Sequence, residues 1–204
     1  RVAQALLAAG VGPGDVLAHC GRNSLEYVLW LYGASKVGAA VAGFNWRSSV
    51  DELAALTAAV APKAMLVGAE FAGSAIAALA AADVSAQLIV EGGTDPSAHP
   101  GSDAIAFDAW TSGHTTVDPG RAPQPDDLAL VFCTSGTTGR PKLVPHLVGR
   151  ITNNLRRPIP WTMDETSTVL IVSPVLHTAG AGWVYLSLFG GAHLVLLRDA
   201  DPAS

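Results

Sequence analysis

The residues best suited to chemistry form a nine-residue loop, 134–142, with the sequence Thr-Ser-Gly-Thr-Thr-Gly-Arg-Pro-Lys. Gly136 and Gly139 permit backbone conformations that other residues resist, and they let the main chain approach a ligand closely. Successive amide groups of such a loop can point at phosphate oxygens, and Lys142 adds a positive charge. Four hydroxyl side chains can donate further hydrogen bonds: Thr134, Ser135, Thr137 and Thr138. The loop therefore predicts a site for a phosphate-bearing ligand.

Other interpretations of this loop are weaker. A Walker A loop needs Lys between Gly and Ser or Thr, whereas Pro141 precedes and Leu143 follows the Lys here. The G-x-G-x-x-G spacing of dinucleotide-binding loops is also absent. A flexible surface turn remains the alternative, since Ser, Thr and Gly are common in turns. The apolar run 128–133 directly before the loop favours phosphate binding, because α/β sheets bind ligands beyond the carboxyl ends of their strands.

The elements that must carry this loop alternate between short apolar runs and helical stretches. Asn23 with Glu26, and Ser49 with Glu52, have the spacing of a capping box at a helix start. Strands are predicted at 15–20, 39–44, 64–68, 87–90, 128–133, 168–173 and 192–197, and helices at 2–9, from the first box to about 37, from the second box to 61, and at 71–82, 146–157 and 179–189. Apolar strands separated by helices predict a layered α/β fold with mostly parallel sheets flanked by helices.

The composition along the chain predicts three parts. Residues 1–91 form a first α/β subdomain, and residues 128–204 form a second α/β segment that carries the loop. Between them, residues 92–127 are rich in Gly, Pro, Ser, Thr and Asp, and only 104–110 looks ordered. Such a stretch is typical of a long connection between two subdomains.

Composition excludes several classes of protein. The chain has 204 residues, half of them hydrophobic, and a net charge of -5, which gives no electrostatic footprint for nucleic acid. The uncharged run 175–197 is long enough to span a membrane, but the pair Gly190-Gly191 predicts a buried helix followed by a buried strand instead. Cys20 and Cys133 have no metal-ligand spacing. Without a signal peptide they indicate reduced thiols in a cytoplasmic protein.

Three regions together resemble the adenylate-forming, or AMP-binding, superfamily, and most of all its acyl-CoA synthetases. Loop 134–142 is similar to the superfamily's signature loop, and segment 173–180, Ser-Pro-Val-Leu-His-Thr-Ala-Gly, is similar to its next motif, at the acyl pocket. Further agreement is found at Gly14-Asp15-Val16, Asn23-Ser24, Gly38-Ala39, Asn45 and Gly190-Gly191-Ala192. Departures follow the loop, where Leu143 replaces a usual Gly and Leu147-Val148 a common Thr-His.

The resemblance implies a fold, a reaction and a set of ligands. The chain would be part of the large N-terminal domain, and loop 134–142 would hold the β- and γ-phosphates of ATP with Mg²⁺. The carboxylate of a small-molecule acid would attack the α-phosphate, and coenzyme A would take the acyl group. His177 and Gly180 would lie beside the substrate. The superfamily's metal ligand and catalytic Lys lie downstream, so no catalytic or metal residue is expected in this chain, and the chain alone is expected to be inactive.

The identity of the acid and two alternatives remain open at this point. Amino-acid-activating relatives usually carry an Asp in the segment equivalent to 173–180, whereas residues 168–198 hold no Asp or Glu here. A fatty or aromatic acid is therefore expected, with Val175, Leu176, Ala179 and Trp183 as an apolar wall around His177. The alternatives are an amino-acid-activating domain and a non-catalytic nucleotide-binding module. Chain length of the acid, final thiol acceptor and oligomeric state stay open.

Overall fold

A computed structural model describes residues 1–92, 103–134, 142–157 and 163–199 of the chain. These residues form seven α-helices, one short 3₁₀ helix at Ala69–Phe71 and nine strands. The helices are α1 (Val2–Ala8), α2 (Leu25–Val37), α3 (Val50–Val60), α4 (Ala72–Ala81), α5 (Phe107–Ser112), α6 (Val148–Leu155) and α7 (Thr178–Phe189). The strands are β1 (Val16–Cys20), β2 (Ala40–Gly43), β3 (Ala64–Val67), β4 (Gln87–Val90), β5 (Ile105–Ala106), β6 (Leu128–Thr134), β7 (Lys142–Leu147), β8 (Thr168–Ile171) and β9 (His193–Leu196).

Seven of these strands form one sheet in the order β5-β4-β3-β1-β2-β6-β7, and β8 pairs with β9 in a second sheet. Every neighbouring pair is parallel except β6 and β7, which are antiparallel. The predicted layered α/β fold with mostly parallel sheets is confirmed. Strand β1 lies near the centre, with β2 on one side and β3 on the other, so the chain first moves from β1 to β2 and then crosses back past β1 to β3.

The two faces of the seven-stranded sheet bury different side chains, because successive residues of a strand point to opposite faces. On one face, Leu66 of β3 belongs to a buried cluster with Leu6 of α1 and Trp30 of α2. On the other face, Met65 of the same strand packs in a cluster with Leu53 of α3. Helices on both faces explain why these strands are apolar throughout.

The two predicted capping boxes had different outcomes. The box at Ser49 and Glu52 is confirmed, since each side chain bonds to the other residue's backbone amide at the start of α3. At α2 the prediction of Asn23 as the capping residue is wrong. Ser24 caps the helix instead and accepts a hydrogen bond from the amide of Tyr27 at 3.0 Å. Asn23 bonds to a distant part of the chain.

The predicted helix at 146–157 begins later than expected, because a strand comes first. Residues Lys142–Leu147 form β7, and α6 starts only at Val148. Strand β7 lies at the edge of the sheet, and edge strands tolerate proline because its missing amide donor need not pair. Pro145 can therefore sit opposite Val131 of β6. The sequence interpretation missed this strand because a strand pairing depends on a partner far from the local pattern.

The stretch 103–127 leads from β5, at one edge of the seven-stranded sheet, to β6 beside β2. Strand β5 and helix α5 form within it, in agreement with the predicted ordered stretch at 104–110. Arg121 donates two hydrogen bonds to the carboxylate of Asp127, at 2.7 and 2.8 Å. The guanidinium lies so close to Gly38, the left-handed C-cap of α2, that a Cβ there would be 2.6 Å from Cζ. The proposed boundaries at 91/92 and 127/128 stay a prediction, and β5 and β6 share one sheet with β1–β4.

The uncharged run 175–197 contains helix α7 and strand β9. The predicted helix followed by a strand is therefore present, and no helix among the described residues is long and apolar enough to cross a bilayer. The expectation that both elements are buried is only half right. Leu194 and Leu196 of β9 pack against the core, whereas Val195 of β9 and Phe189 of α7 are exposed.

Candidate functional site

The candidate site lies at one edge of the seven-stranded sheet, which we call the carboxyl edge. It is the edge at which the parallel strands β1, β2, β3 and β6 end, at Cys20, Gly43, Val67 and Thr134. The turns that follow these strands converge there, because parallel strands have their carboxyl ends on the same side. In open α/β sheets such an edge is the usual ligand site, especially where the strand order reverses.

The predicted phosphate loop spans the gap between β6 and β7 at this edge. The backbones of Thr134 and Lys142 lie opposite each other as a pair of the antiparallel ladder, so the two ends of the loop are neighbours. The Lys142 side chain is exposed. Of the other predicted phosphate-binding residues, Ser135, Gly136, Thr137, Thr138 and Gly139 lie outside the described residues. The phosphate role of the loop stays a prediction, with its two ends placed at the carboxyl edge.

The second predicted motif, segment 173–180, turns from β8 into α7. His177 is exposed, and it occupies the extended position immediately before α7. Gly180 is buried in the first turn of the helix, where a Cβ would overlap the Pro174 carbonyl and come within 2.7 Å of the Cα of Val175. Gly180 therefore lets α7 pack directly on the turn that precedes it. The substrate roles of His177 and Gly180 stay predictions.

Close packing joins this segment to the carboxyl edge. A Cβ at Gly43, the last residue of β2, would lie 2.9 Å from the Cα of Leu176. Gly43 is paired with Phe132 of β6, two residues before the phosphate loop begins. The fold thus brings segment 173–180 and the two ends of loop 134–142 to neighbouring positions, although more than 30 residues separate them in the sequence.

The apolar wall predicted around His177 has a different composition from the one expected. Val175 and Leu176 are buried, Val175 belongs to the main core cluster, and neither lines the cavity beside Trp183. Ala179 and Trp183 instead line a cavity of about 200 Å³ together with the run 169–173. Six of its seven lining residues have apolar side chains, and polar atoms share the lining surface with them, a mixture that suits the apolar part of a small acid beside its polar group.

Asn23 connects the segment to the turn after β1, and the sequence interpretation missed this. Its Oδ1 accepts from the amide of Val175 at 2.9 Å. Its Nδ2 donates to the carbonyls of Ser173, at 3.2 Å, and Leu197, at 3.0 Å. The only sequence signal for Asn23 was the agreement of Asn23-Ser24 with the superfamily pattern, since its three partners lie about 150 to 174 residues away.

A second cavity, of about 170 Å³, also escaped the sequence interpretation. Arg22, Arg47 and Arg198 line it with Trp46, although no spacing in the sequence brings them together. Arg22 and Arg47 lie over the Trp46 ring, with guanidinium carbons 4.4 and 3.9 Å from the centroid. Glu70 is ion-paired with Arg22 and with Arg198, at 3.3 and 2.6 Å. Two of the three cations are therefore partly neutralised.

Below the edge, a buried polar group supports the start of α2. His19 contributes Nε2 at 3.0 Å from Oε1 of Glu91, and Ser24 donates to the same oxygen at 2.7 Å. His19 is fully buried, which the sequence interpretation did not anticipate. The three residues fasten the ends of β1 and β4 to the N-terminus of α2.

The two cysteines are unsuited to nucleophilic catalysis. Both are free, as predicted. Burial, assisted by the charge of Glu91, raises the pKa of Cys20 to about 12, and burial raises the pKa of Cys133 to about 11. A thiol is reactive only as its thiolate, so both are inert at neutral pH. Among the described residues, moreover, no three His, Cys, Asp or Glu side chains cluster as a metal site, and we assign no Mg²⁺ ligand to them.

Comparison with known proteins places the chain in context. The model of a family described as "AMP-binding enzyme" matches residues 1–204. The chain is 29% identical to the fatty acid–[acyl-carrier-protein] ligase ScoC of Streptomyces coeruleorubidus, over 97% of this chain and 37% of that protein. It is 31% identical to a feruloyl-CoA synthase of an Amycolatopsis species, over 100% of this chain and 38% of that protein.

A solved structure agrees with these relatives. The inhibitor-bound N-terminal domain of FACL13 from Mycobacterium tuberculosis superposes with a TM-score of 0.79 at 25% identity, over 99% of this chain and 48% of that chain. The chain thus spans well under two thirds of the length of the proteins that it matches.

Proposed function

Because the chain belongs to the family of AMP-binding enzymes, we propose that the full-length protein is an acid–thiol ligase that uses ATP. In the first step an oxygen of the substrate carboxylate bonds to the α-phosphorus, and pyrophosphate leaves. In the second step the thiol of coenzyme A bonds to the acyl carbon, and AMP leaves. The substrate that we propose is a fatty or aromatic acid.

The observation that carries this proposal is the placement of two motifs at one edge of the sheet. Thr134 and Lys142 bring the ends of the glycine loop together at the carboxyl edge. Gly43 holds segment 173–180 beside them. A phosphate group above the first motif and an acid above the second would then be neighbours, which the transfer of AMP to a carboxylate requires.

Lys142 provides the test of nucleotide binding. In the full-length protein, Lys142→Ala should weaken ATP more than AMP, because AMP lacks the β- and γ-phosphates. A lost charge-assisted hydrogen bond is worth roughly 1.5–3 kcal/mol, or about 10- to 100-fold in Kd. Calorimetric titration with both nucleotides measures the difference. Lys36→Ala is the matched control, because Lys36 lies in the last turn of α2 and is ion-paired with Asp118. Equal losses for ATP and AMP would show that Lys142 does not read those phosphates.

The absence of acidic residues from 168–198 supports an acid without an α-amino group. A buried ammonium with no anionic partner has a large desolvation cost, whereas the apolar side chains in the cavity beside Trp183 would stabilise hydrocarbon. Two of the similar proteins are named for a fatty acid and for a feruloyl group. We would compare kcat/KM for an amino acid and its deamino analogue. A clear preference for the amino acid would favour the alternative of an amino-acid-activating domain.

The same assay separates the remaining alternatives. Pyrophosphate release from the full-length protein with any acid of a panel excludes a non-catalytic nucleotide-binding module. Parallel reactions with coenzyme A and with an acyl-carrier protein identify the thiol acceptor. We expect no release from the 204-residue chain alone, because the superfamily's catalytic Lys has no counterpart identified in it. Because both cysteines are free, we further propose that the protein acts in the cytoplasm.

A further inference from the structure

We propose that Asn23 is a positioning residue, which sets segment 173–180 in place for the acid and for His177. This inference rests on the proposed function, and it extends that function to a residue in the turn between β1 and α2. Asn23 is 5% exposed. Its amide oxygen accepts one hydrogen bond and its amide nitrogen donates two, all with backbone groups. A side chain held by three such bonds has a single orientation.

The three bonds occur where the second sheet stops. The last ladder bond between β8 and β9 joins the amide of Leu197 to the carbonyl of Ile171, at 3.0 Å. The ladder ends with the pair Ile171 and Leu196, so the backbone groups beyond this last bond have no partner within the sheet. Backbone groups that leave a sheet inside a protein need other partners. Asn23 supplies them by donating to Ser173 and Leu197 and accepting from Val175.

Asn23 is itself held by rigid neighbours. It precedes Ser24, whose hydroxyl caps α2 and also donates to Glu91. One turn along α2, the hydroxyl of Tyr27 donates to the carbonyl of Val175 at 3.2 Å. Both backbone groups of Val175 are therefore bound by side chains of the α2 start. These contacts fix the position of segment 173–180 relative to the first sheet.

A shift of segment 173–180 would also shift α7, because the two are tightly packed. Gly180 lies against Pro174 and Val175, so α7 cannot shift independently of the turn that Asn23 holds. His177 lies between them, at the start of the helix. A loosened turn would displace His177 and the cavity at Ala179 and Trp183, whereas the ends of the phosphate loop, on β6 and β7, would stay in place.

The kinetic test uses Asn23→Ala and Asn23→Asp in the full-length protein. Asp keeps the acceptor for Val175 and loses the two donors, so it should behave like Ala. We expect KM for the acid to rise by about tenfold, since small displacements of bound groups cost rate and affinity steeply. KM for ATP should stay within about twofold, as expected for an interaction confined to the other substrate. Leu53→Ala, a core change in α3 away from the motif, is the control for general loss of stability.

Hydrogen exchange gives a second readout that does not require activity. In both Asn23 variants, peptides covering 173–180 and 197–199 should exchange faster, with peptides of β3 and β4 unchanged. Unaltered exchange at 173–180 would overturn the inferred contacts, and faster exchange with unaltered KM for the acid would overturn the positioning role. A wild-type protein that releases no pyrophosphate with any acid would instead contradict the proposed function, and the exchange result would still decide whether Asn23 holds the segment.

Discussion

The two sheets of this protein are built from similar apolar strands and yet differ in how they are buried. Strand β3, Ala-Met-Leu-Val, is buried at every residue, and so is β2. Strand β9, His-Leu-Val-Leu, alternates between exposed and half-buried residues, and three of the four residues of β8 are exposed or half-buried. The difference lies in what covers the strands. Helices lie on both faces of the first sheet, while the described residues cover the second sheet on one face only.

This contrast shows that apolar composition does not reveal how many faces of a strand are covered. An apolar run predicts burial on both sides, and the second sheet violates that expectation at Leu170 and Val195, which are exposed. Burial is a property of neighbours, and neighbours are set by the tertiary fold. Substitutions in the two sheets should therefore lower the free energy of unfolding by different amounts, and urea unfolding measures these changes.

The largest effect is expected in the first sheet, at Leu66. This side chain is fully buried in the main core cluster, and Leu66→Ala removes its contacts and leaves a cavity. The free energy of unfolding should fall by about 2–5 kcal/mol. Leu170→Ala, described below, is the matched control in the second sheet. A loss below about 1 kcal/mol at Leu66 would show that the first core relaxes around the change.

The next effect is expected at Gly180, where the second sheet's helix meets its preceding turn. Gly180→Ala places a methyl group against backbone atoms of Pro174 and Val175. Backbone cannot give way as a flexible side chain would, so we expect a loss of about 1–3 kcal/mol. Gly182→Ala is the control, because it lies in the same helix with open space around its Cβ position. That variant should gain about 0.5–1 kcal/mol from helix propensity, and a similar loss at both sites would refute the packing argument.

A smaller effect is expected at Asp127, in the segment that enters the first sheet. Hydrogen bonds from Arg121 lower the pKa of the Asp127 carboxyl. A lowered pKa in the folded state means that this pair stabilises the fold above the unfolded value of about 3.9, and that its contribution is lost as the pH falls through the folded pKa.

Asp127→Asn should therefore cost about 1 kcal/mol at pH 7, a modest figure because the pair is partly exposed to solvent. At pH 2–3 the gap between wild type and variant should narrow. Unfolding curves at both pH values measure this, with the exposed neighbour Asp126→Asn as the control. A gap that stays constant with pH would mean that the carboxylate charge contributes nothing.

The smallest effect is expected at Leu170 in the second sheet. This side chain is 57% exposed, so Leu170→Ala should change the free energy of unfolding by less than about 0.5 kcal/mol. The comparison with Leu66→Ala then measures directly the difference between a strand covered on both faces and one covered on one. A loss at Leu170 close to that at Leu66 would show that this face is covered in the protein measured.

Much of the fold was predictable wherever the determining interactions are local. The capping box of Ser49 and Glu52 closes within four residues, and the structure contains it as predicted. The alternation of apolar runs and helices likewise predicted a layered α/β fold, because burial of both faces of a parallel sheet leaves a composition that can be read directly. The glycine loop was placed correctly after a strand, since an apolar run precedes it at once.

The sequence by itself thus determined most of the order of elements and the two motifs, and the tertiary structure decided which residues meet. Asn23 has the spacing of a helix cap, yet Ser24 takes that role and Asn23 binds backbone about 150 to 174 residues away. Strand β7 exists because β6 offers it an open edge. Local patterns report energies within one turn of chain, whereas hydrogen bonds and packing between distant segments depend on a register that only the folded sheet defines.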